Sequence, residues 1–340
     1  MLSTPYERKQ DGLRPRIIAI VWAPEESRTA MYGCYLNAPV FYIHYLLYKR
    51  PFVAPFKYIA QAIKTLIVLF QQRPRAIFVT NPPAFAPFFV FLYAQLTGTP
   101  YIMDTHSPAL YSRKWGWTVP LQRFLARRAL VNLVDQERFH ELFEAWGAKA
   151  IVLEKPPRNF QNRAFEYIGD PSRFEITVIN TFAVDEPVDI ILEAARELPD
   201  VHFYILGDTT LANPADLQNA PDNVTFTGYL LGSDYWNRLY SSRAVMALTT
   251  YPHSLLAGAQ DGGELDKPLL LSRQPALEEY FTKGAVFIEN STAGIIEGVR
   301  ALMAREAQLT TEIADLVNER HEHWQSRFQQ LDRMIDAGMR

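Results

Sequence analysis

Short apolar runs alternate with stretches of helical spacing along almost the whole chain, and this alternation constrains the fold more than any other feature. A strand covered by helices on both faces reads as an unbroken apolar run, and strands separated by helices pair in parallel. In the first half the pattern predicts strands over 16–22, 76–80, 101–104, 131–134 and 150–153. Helices are expected over 57–72, 84–96, 119–129 and 136–146. A turn-rich stretch follows over 154–173, with Pro156, Pro157, Asn159, Asn162, Gly169 and Pro171, and reads as a hinge. The alternation then restarts. Strands are expected over 175–180, 202–206, 224–227, 245–249, 269–271 and 286–288, and helices over 188–198, 234–241, 276–280 and 293–303. A long polar helix over about 309–335 closes the chain. The expected class is α/β, as two doubly wound domains over 14–160 and 171–305, with 306–340 a helix that crosses back to the first. At 340 residues the chain exceeds what a single core usually holds.

Composition excludes several functions. Cys34 is the one cysteine, which rules out an internal disulfide framework or a cysteine metal cluster. Seven histidines occur without a His-Glu-x-x-His pattern, against a zinc hydrolase. The near-neutral total charge hides a split: residues 1–170 hold 21 Lys and Arg against 12 Asp and Glu, and residues 171–340 hold 13 against 25. A basic first half and an acidic second half suggest a cleft between unlike domains, with the anionic partner on the first; two unevenly charged solvated faces would give the same count.

The polar start argues against a secretory signal, and no run reaches the ~18 uncharged apolar residues of a membrane span. Over 38–70, however, aromatics (Phe41, Tyr42, Tyr45, Tyr48, Phe52, Phe56, Tyr58) mix with Lys49, Arg50, Lys57 and Lys64. That mixture suits the surface of an anionic bilayer, and equally a core helix flanked by solvated lysines. No zinc, helix-turn-helix or RNA-binding pattern accompanies the positive charge, so nucleic acid is not expected as a partner.

Ligands of open parallel sheets bind beyond the carboxyl ends of the strands. The loop after the first strand lacks a Gly-x-Gly-x-x-Gly or P-loop pattern, which weighs against a dehydrogenase or ATPase. It offers Arg28 as a fork for phosphate or carboxylate, followed by Tyr32 and Gly33. Asn81 follows the next strand, and Asp104-Thr105-His106 ends the third, where a carboxylate and an imidazole suit proton transfer or the orienting of a sugar hydroxyl. In the second half, Thr181 and Phe182 follow the first strand, where hydroxyl and amides could hold a phosphate oxygen. Gly207 ends the next strand, and Tyr229 could flank a nucleobase. The segment from Thr250 through His253, Ser254, Gly258 and Asp261 has small residues to admit a diphosphate and a carboxylate for ribose hydroxyls.

This ordered set resembles glycosyltransferases built of two facing Rossmann-like domains, the GT-B fold. The likeness is to the bacterial family 4-like enzymes of surface polysaccharide synthesis and, more distantly, to mannosyltransferases that extend a dolichol-linked oligosaccharide. It is carried by Thr80-Asn81-Pro82-Pro83, Asp104-Thr105-His106 and Leu125-Ala126-Arg127-Arg128-Ala129. In the second half Thr181-Phe182-Ala183-Val184-Asp185-Glu186-Pro187, Phe203-Tyr204-Ile205-Leu206-Gly207 and Asn223-Val224-Thr225-Phe226-Thr227-Gly228-Tyr229 carry it. Asp266-Lys267-Pro268-Leu269-Leu270-Leu271-Ser272 and Leu277-Glu278-Glu279-Tyr280-Phe281 continue it, so that it spans roughly 14–305.

The resemblance implies a metal-independent hexosyltransferase without a cofactor, taking a nucleotide diphosphate sugar as co-substrate and a glycan or lipid-linked acceptor. It implies a cytoplasmic enzyme, peripheral at the inner face of the plasma membrane. His106 and Asp104 would be catalytic, with His106 near the transferred sugar. Thr181, Phe182, Gly207, Tyr229, Thr250, His253, Ser254, Gly258 and Asp261 would face the donor, and Arg28, Tyr32, Gly33 and Asn81 the acceptor or phosphate. The segment from His253 to Asp261 corresponds to the family's two acids separated by seven residues, with histidine in the first place and aspartate in the second. Asp266 stands where glycine precedes Lys-Pro, and the family's basic pair at the diphosphate is not evident. Donor sugar and anomeric outcome stay open. A degenerate member that binds a sugar nucleotide or a partner enzyme without turnover is the alternative, and a nucleotide-sugar epimerase a further one.

Overall fold

A computed structural model describes residues 16–45, 54–158, 160 and 163–339. The N-terminal fifteen residues, Tyr48, Lys49, Arg50, Phe52, Asn159 and Asn162 lie outside the described residues. The described residues form two compact units, one of residues 16–157 together with those from 322, the other of residues 158–321.

The N-terminal unit runs β1 (Ile17–Val21), α1 (Ser27–Tyr35), β2 (Val40–Tyr42), α2 (Ala54–Gln72), β3 (Ala76–Asn81), α3 (Phe85–Thr97), β4 (Tyr101–Thr105), α4 (Pro108–Tyr111), α5 (Val119–Ala126), β5 (Val131–Val134), α6 (Glu137–Ala145) and β6 (Ala150–Val152). The six strands are parallel in the order β2-β1-β3-β4-β5-β6. Every residue of β1, β3, β4 and β5 is buried, as a strand covered on both sides requires. One face packs against α2, α3, α5 and α6 through Ile18, Ile20, Val79, Val90, Leu125 and Phe143.

Three elements of this unit are absent from the sequence reading: α1, β2 and the one-turn α4. Helix α1 buries Arg28, Thr29, Tyr32 and Gly33 rather than an apolar stripe; it is started by the Glu26 carboxylate, which accepts from the amides of Arg28 and Thr29. Strand β2 is three residues long, too short to show a period.

The C-terminal unit runs β7 (Phe174–Ile179), α7 (Asp189–Arg196), β8 (Val201–Leu206), α8 (Pro214–Gln218), β9 (Val224–Gly228), α9 (Gly232–Ser241), β10 (Ala244–Ala247), α10 (Ala257–Gly263), β11 (Leu269–Ser272), α11 (Pro275–Tyr280), β12 (Ala285–Ile288), α12 (Thr292–Ala304) and α13 (Glu306–Gly338). Its strands are parallel in the order β12-β11-β10-β7-β8-β9. From residue 322 onward α13 belongs to the N-terminal unit, where Trp324, Leu331 and Ile335 are buried against Ile17, Phe78 and Leu133. There the Trp324 Nε1 donates to the Glu154 carbonyl at 3.2 Å, and an Arg327 guanidinium nitrogen donates to the Val152 carbonyl at 3.0 Å.

Strand order reverses between β1 and β3 in one sheet and between β7 and β10 in the other. At such a point successive crossovers leave on opposite faces, so the loops part and open a crevice beyond the strand ends. The loops after β1, β3, β7 and β10 are therefore the ones the topology offers to a ligand. Among the described residues no helix is long and apolar enough to cross a membrane.

Candidate active site

In the N-terminal unit the strand ends collect a charged cluster. Asp104, fully buried at the end of β4, lies in register between Thr80 and Leu133. Arg28 on α1 donates from one nitrogen to Asp104 Oδ1 at 2.7 Å and to the Leu153 carbonyl at 2.9 Å. The other carboxylate oxygen meets His106 Nε2 at 3.1 Å. The His106 amide donates to the Asn81 carbonyl at 2.9 Å, which ties the loop carrying the imidazole to the end of β3.

Charge explains the protonation states. Burial alone would raise the Asp104 pKa, but the Arg28 guanidinium and His106 outweigh it and hold the carboxyl below its ordinary value. Burial disfavours charge on His106, yet the Asp104 carboxylate overcomes this and raises the imidazole above the usual histidine range. Arg28 likewise ends up raised, its burial offset by Asp104. A carboxylate can only accept, so neutral His106 carries its proton on Nε2. Nδ1 is then the nitrogen able to take a proton from a ligand. The His106 side chain keeps 24% exposure, whereas Asp104 has none.

The other expected residues of this unit sit deeper. Tyr32 is fully buried, its hydroxyl donating to the Leu153 and Glu154 carbonyls at 3.0 and 2.8 Å. Asn81 is also buried; its amide donates to Gln122 Oε1 at 2.9 Å. Gly33 lies within α1 against Val40, and Arg28 is 8% exposed. Arg28 holds Asp104 and the Asn81 carbonyl holds the His106 amide, and His106 is the one of the set turned partly to solvent. Asp135, the first residue after β5, was missed by sequence reasoning. Burial raises its pKa, opposed by the positive charges of Arg28 and His106, so it belongs to the same cluster. Its signal was the position itself, a carboxylate directly past a buried strand.

In the C-terminal unit the loops after β7 and β10 are bound together. The Thr249 hydroxyl donates to Asp185 at 2.6 Å, and the Thr250 amide donates to the Asp185 carbonyl at 2.8 Å. Phe182 adopts a positive φ of 56° and its amide donates to the Asn180 side chain at 2.6 Å. Gly207 has a φ of 144°, and a Cβ there would come within 2.4 Å of the Asn180 carbonyl oxygen. Thr181 donates from both amide and hydroxyl to the Glu186 carboxylate at 2.6 and 2.9 Å. That carboxylate sits where the loop amides were expected to meet a phosphate oxygen.

Asp261, on α10, is likewise engaged. It accepts from Arg158 at 3.3 Å and from the Tyr235 hydroxyl at 3.0 Å. Arg158 lies 4.9 Å over the Trp236 ring, and burial together with Asp261 raises the Tyr235 pKa well above the usual tyrosine value. Thr250 and Tyr229 are exposed, while His253 and Ser254 are half-buried in the loop before α10. Sequence reasoning missed Arg158 and Tyr235, whose partner Asp261 lies beyond any local motif, and it gave Glu186 no role although its partner Thr181 stands in the same loop.

Gly258 owes its small size to packing. A Cβ at that position would lie 2.5 Å from Ile179 Cγ2 on β7. Gly258→Ala is expected to destabilise the C-terminal unit by about 1–3 kcal/mol through overpacking. Denaturant unfolding checks this, and an unchanged midpoint would show that α10 can shift away.

Among the described residues, no three His, Cys, Asp or Glu side chains gather as a metal site. The arrangement can hold a proton at His106, and it presents loop donors at the switch point of the second sheet.

No protein-family model matches the sequence, and no curated protein matches it. Solved structures do. Sucrose-phosphate synthase from Thermosynechococcus elongatus superposes with a TM-score of 0.70 at 12% identity, over 95% of this chain and 99% of that one. HepE from Anabaena, solved with UDP and glucose, gives 0.70 at 11% identity over 95% and 100%. MnaA from S. aureus, solved with UDP, gives 0.61 at 13% over 89% and 92%. The likeness shows the fold: two Rossmann-like domains of the GT-B type.

Proposed function

We propose that this chain moves a hexose from a nucleotide diphosphate donor to a glycan or lipid-linked acceptor on the cytoplasmic side of a membrane, without a metal or other cofactor. The observation that carries the reading is His106, held on Nε2 by a buried ionised aspartate at the carboxyl end of β4. UDP in two proteins of the same fold supports a nucleotide-linked donor.

In this reading the acceptor hydroxyl oxygen bonds to the anomeric carbon as the bond from that carbon to the diphosphate oxygen breaks. The hydroxyl proton passes to His106 Nδ1, and Asp104 stabilises the imidazolium that forms. The diphosphate leaves with the bonding electron pair, and the donors assigned to it are the Thr181 hydroxyl and amide in the loop after β7. Glu186 gives up those donors when the diphosphate is bound, because like charges cannot share one set. Arg28 acts through Asp104 rather than on the ligand. A base at this point favours direct displacement and so inversion at the anomeric carbon.

A second reading, binding of a sugar nucleotide without turnover, is favoured by the engagement of Asp261 and Thr181 with groups of the chain itself. UDP-, GDP-, ADP- and TDP-linked sugars, each offered with a crude lipid extract, separate the two. Transfer predicts acceptor-dependent release of one diphosphate. Binding of a sugar nucleotide with no release from any donor would leave the second reading.

A further inference from the structure

Helix α2 is apolar on two sides. Gln61, Ala62, Thr65, Val68 and Leu69 face the core and are buried. On the opposite side Phe56, Ile59, Ile63, Ile67 and Phe70 recur at spacings of three and four, and they are 74, 58, 55, 43 and 49% exposed. A surface helix normally turns polar residues outward, so five large apolar side chains in one outward stripe need a partner. On the neighbouring α3, Leu92 and Leu96 are exposed as well, and Phe70 meets Tyr93 edge-on at 5.0 Å, so the stripe widens onto that helix.

Charge identifies the partner. Residues 36–134 contain eleven Lys and Arg and a single acid, Asp104, which is fully buried beside Arg28. This long segment therefore shows no carboxylate to solvent, while Lys64, Arg73, Lys114, Arg123, Arg127 and Arg128 are exposed. Lys57 at the start of α2 lies near Lys114; burial first, and then that like charge, lower its pKa. A protein interface would normally mix signs around an apolar centre. An apolar stripe in a segment whose exposed charges are all positive fits anionic headgroups above acyl chains.

We infer that the outward face of α2, continued by α3, lies in the plane of an anionic bilayer surface. Its apolar stripe enters the acyl boundary, and Lys57, Lys64 and Lys114 sit at the phosphate level. Because α2 precedes β3 and runs back along the sheet, its first turn stands at the carboxyl ends of the strands. Tyr58 there stacks with Trp22, which follows β1, at 6.1 Å. The membrane contact thus borders the end of the sheet that carries His106. The inference stands on this surface alone and holds whether or not sugar is transferred.

Flotation with vesicles tests it without donor or acceptor. The full chain should float with phosphatidylcholine vesicles containing about 30 mol% phosphatidylglycerol, and bind vesicles of phosphatidylcholine alone about tenfold or more weakly. The Ile63→Glu/Ile67→Glu variant changes exposed positions, so its thermal unfolding should match the parent while vesicle affinity falls about tenfold or more. Lys57→Glu/Lys64→Glu should lose the preference for anionic vesicles. Three results would overturn the inference: no flotation of the parent, equal binding to neutral vesicles, or parent-like binding by Ile63→Glu/Ile67→Glu. A dimer in sedimentation velocity that this double variant splits, with no vesicle binding, would assign the stripe to a second copy and also overturn it. Vesicle binding by a chain that releases diphosphate from no donor would leave this inference standing and remove only the transfer reading.

Discussion

His106→Ala is expected to lower the rate of sugar transfer by about 10²–10⁴-fold, the range for loss of a positioned general base. Affinity for the nucleotide sugar should change little, since the donor is assigned to loops of the other sheet. Calorimetric titration of the donor beside a steady-state assay separates the two quantities. The pH profile adds a second readout. A base whose pKa is raised by Asp104 works only once deprotonated, so transfer should rise with pH through a midpoint above that of an ordinary histidine. Asp104→Asn removes the charge that raises it, and the midpoint should fall. Turnover by His106→Ala close to the parent rate would end the catalytic assignment.

The largest expected loss of stability is at Asp104. Asp104→Ala leaves the buried Arg28 guanidinium facing a cavity, with the Leu153 carbonyl as the acceptor that remains for that nitrogen. Removing one member of a buried ion pair costs about 3–5 kcal/mol, because the remaining charge stays desolvated. Arg28→Met combined with Asp104→Leu should recover most of that loss, since no unpaired charge is then left inside. Equilibrium denaturation of the three proteins, following the transition of the N-terminal unit, gives the comparison. A loss below about 1 kcal/mol for Asp104→Ala would mean that Arg28 reaches water, contrary to its burial.

How far the sequence foretold this arrangement depended on how local each signal was. Strands such as Ile17–Val21 were readable because each residue is buried, which leaves an uninterrupted apolar run. Helix α1 was not, since it begins on a side-chain cap at Glu26 and buries Arg28, Thr29, Tyr32 and Gly33, which mark no apolar face. Asp104 and His106 were legible because they stand at a strand end, where α/β sheets carry ligands. Asp135 occupies the same kind of position, but it also reads as the residue before a helix, and that reading hid it. Arg28 shows the reverse difficulty: its place after the first strand singled it out, but it stands on α1 rather than in a loop, and its inward turn depends on Asp104, 76 residues away. The pairing of Arg158 with Asp261 spans 103 residues and leaves no local trace. Gly258 was noticed for its size, yet the reason for that size is Ile179 on a strand far earlier in the chain.

The closing stretch of α13 has a consequence for biosynthesis. Trp324 caps a layer of rings, 4.8 Å from Phe328 and 4.6 Å from Tyr35, and Leu331 and Ile335 seal the same layer with no exposure. On the ribosome, residues 16–157 emerge while this seal is still unmade. Until translation passes residue 335, the outer side of β1 and β3 has the cover of Tyr32 and Leu36 but lacks that of Trp324, Leu331 and Ile335, so the half synthesised first is finished last. Co-translational maturation of the C-terminal unit can therefore overtake that of its predecessor, and a nascent chain of this kind exposes a sticky hydrophobic sheet face for most of its elongation time.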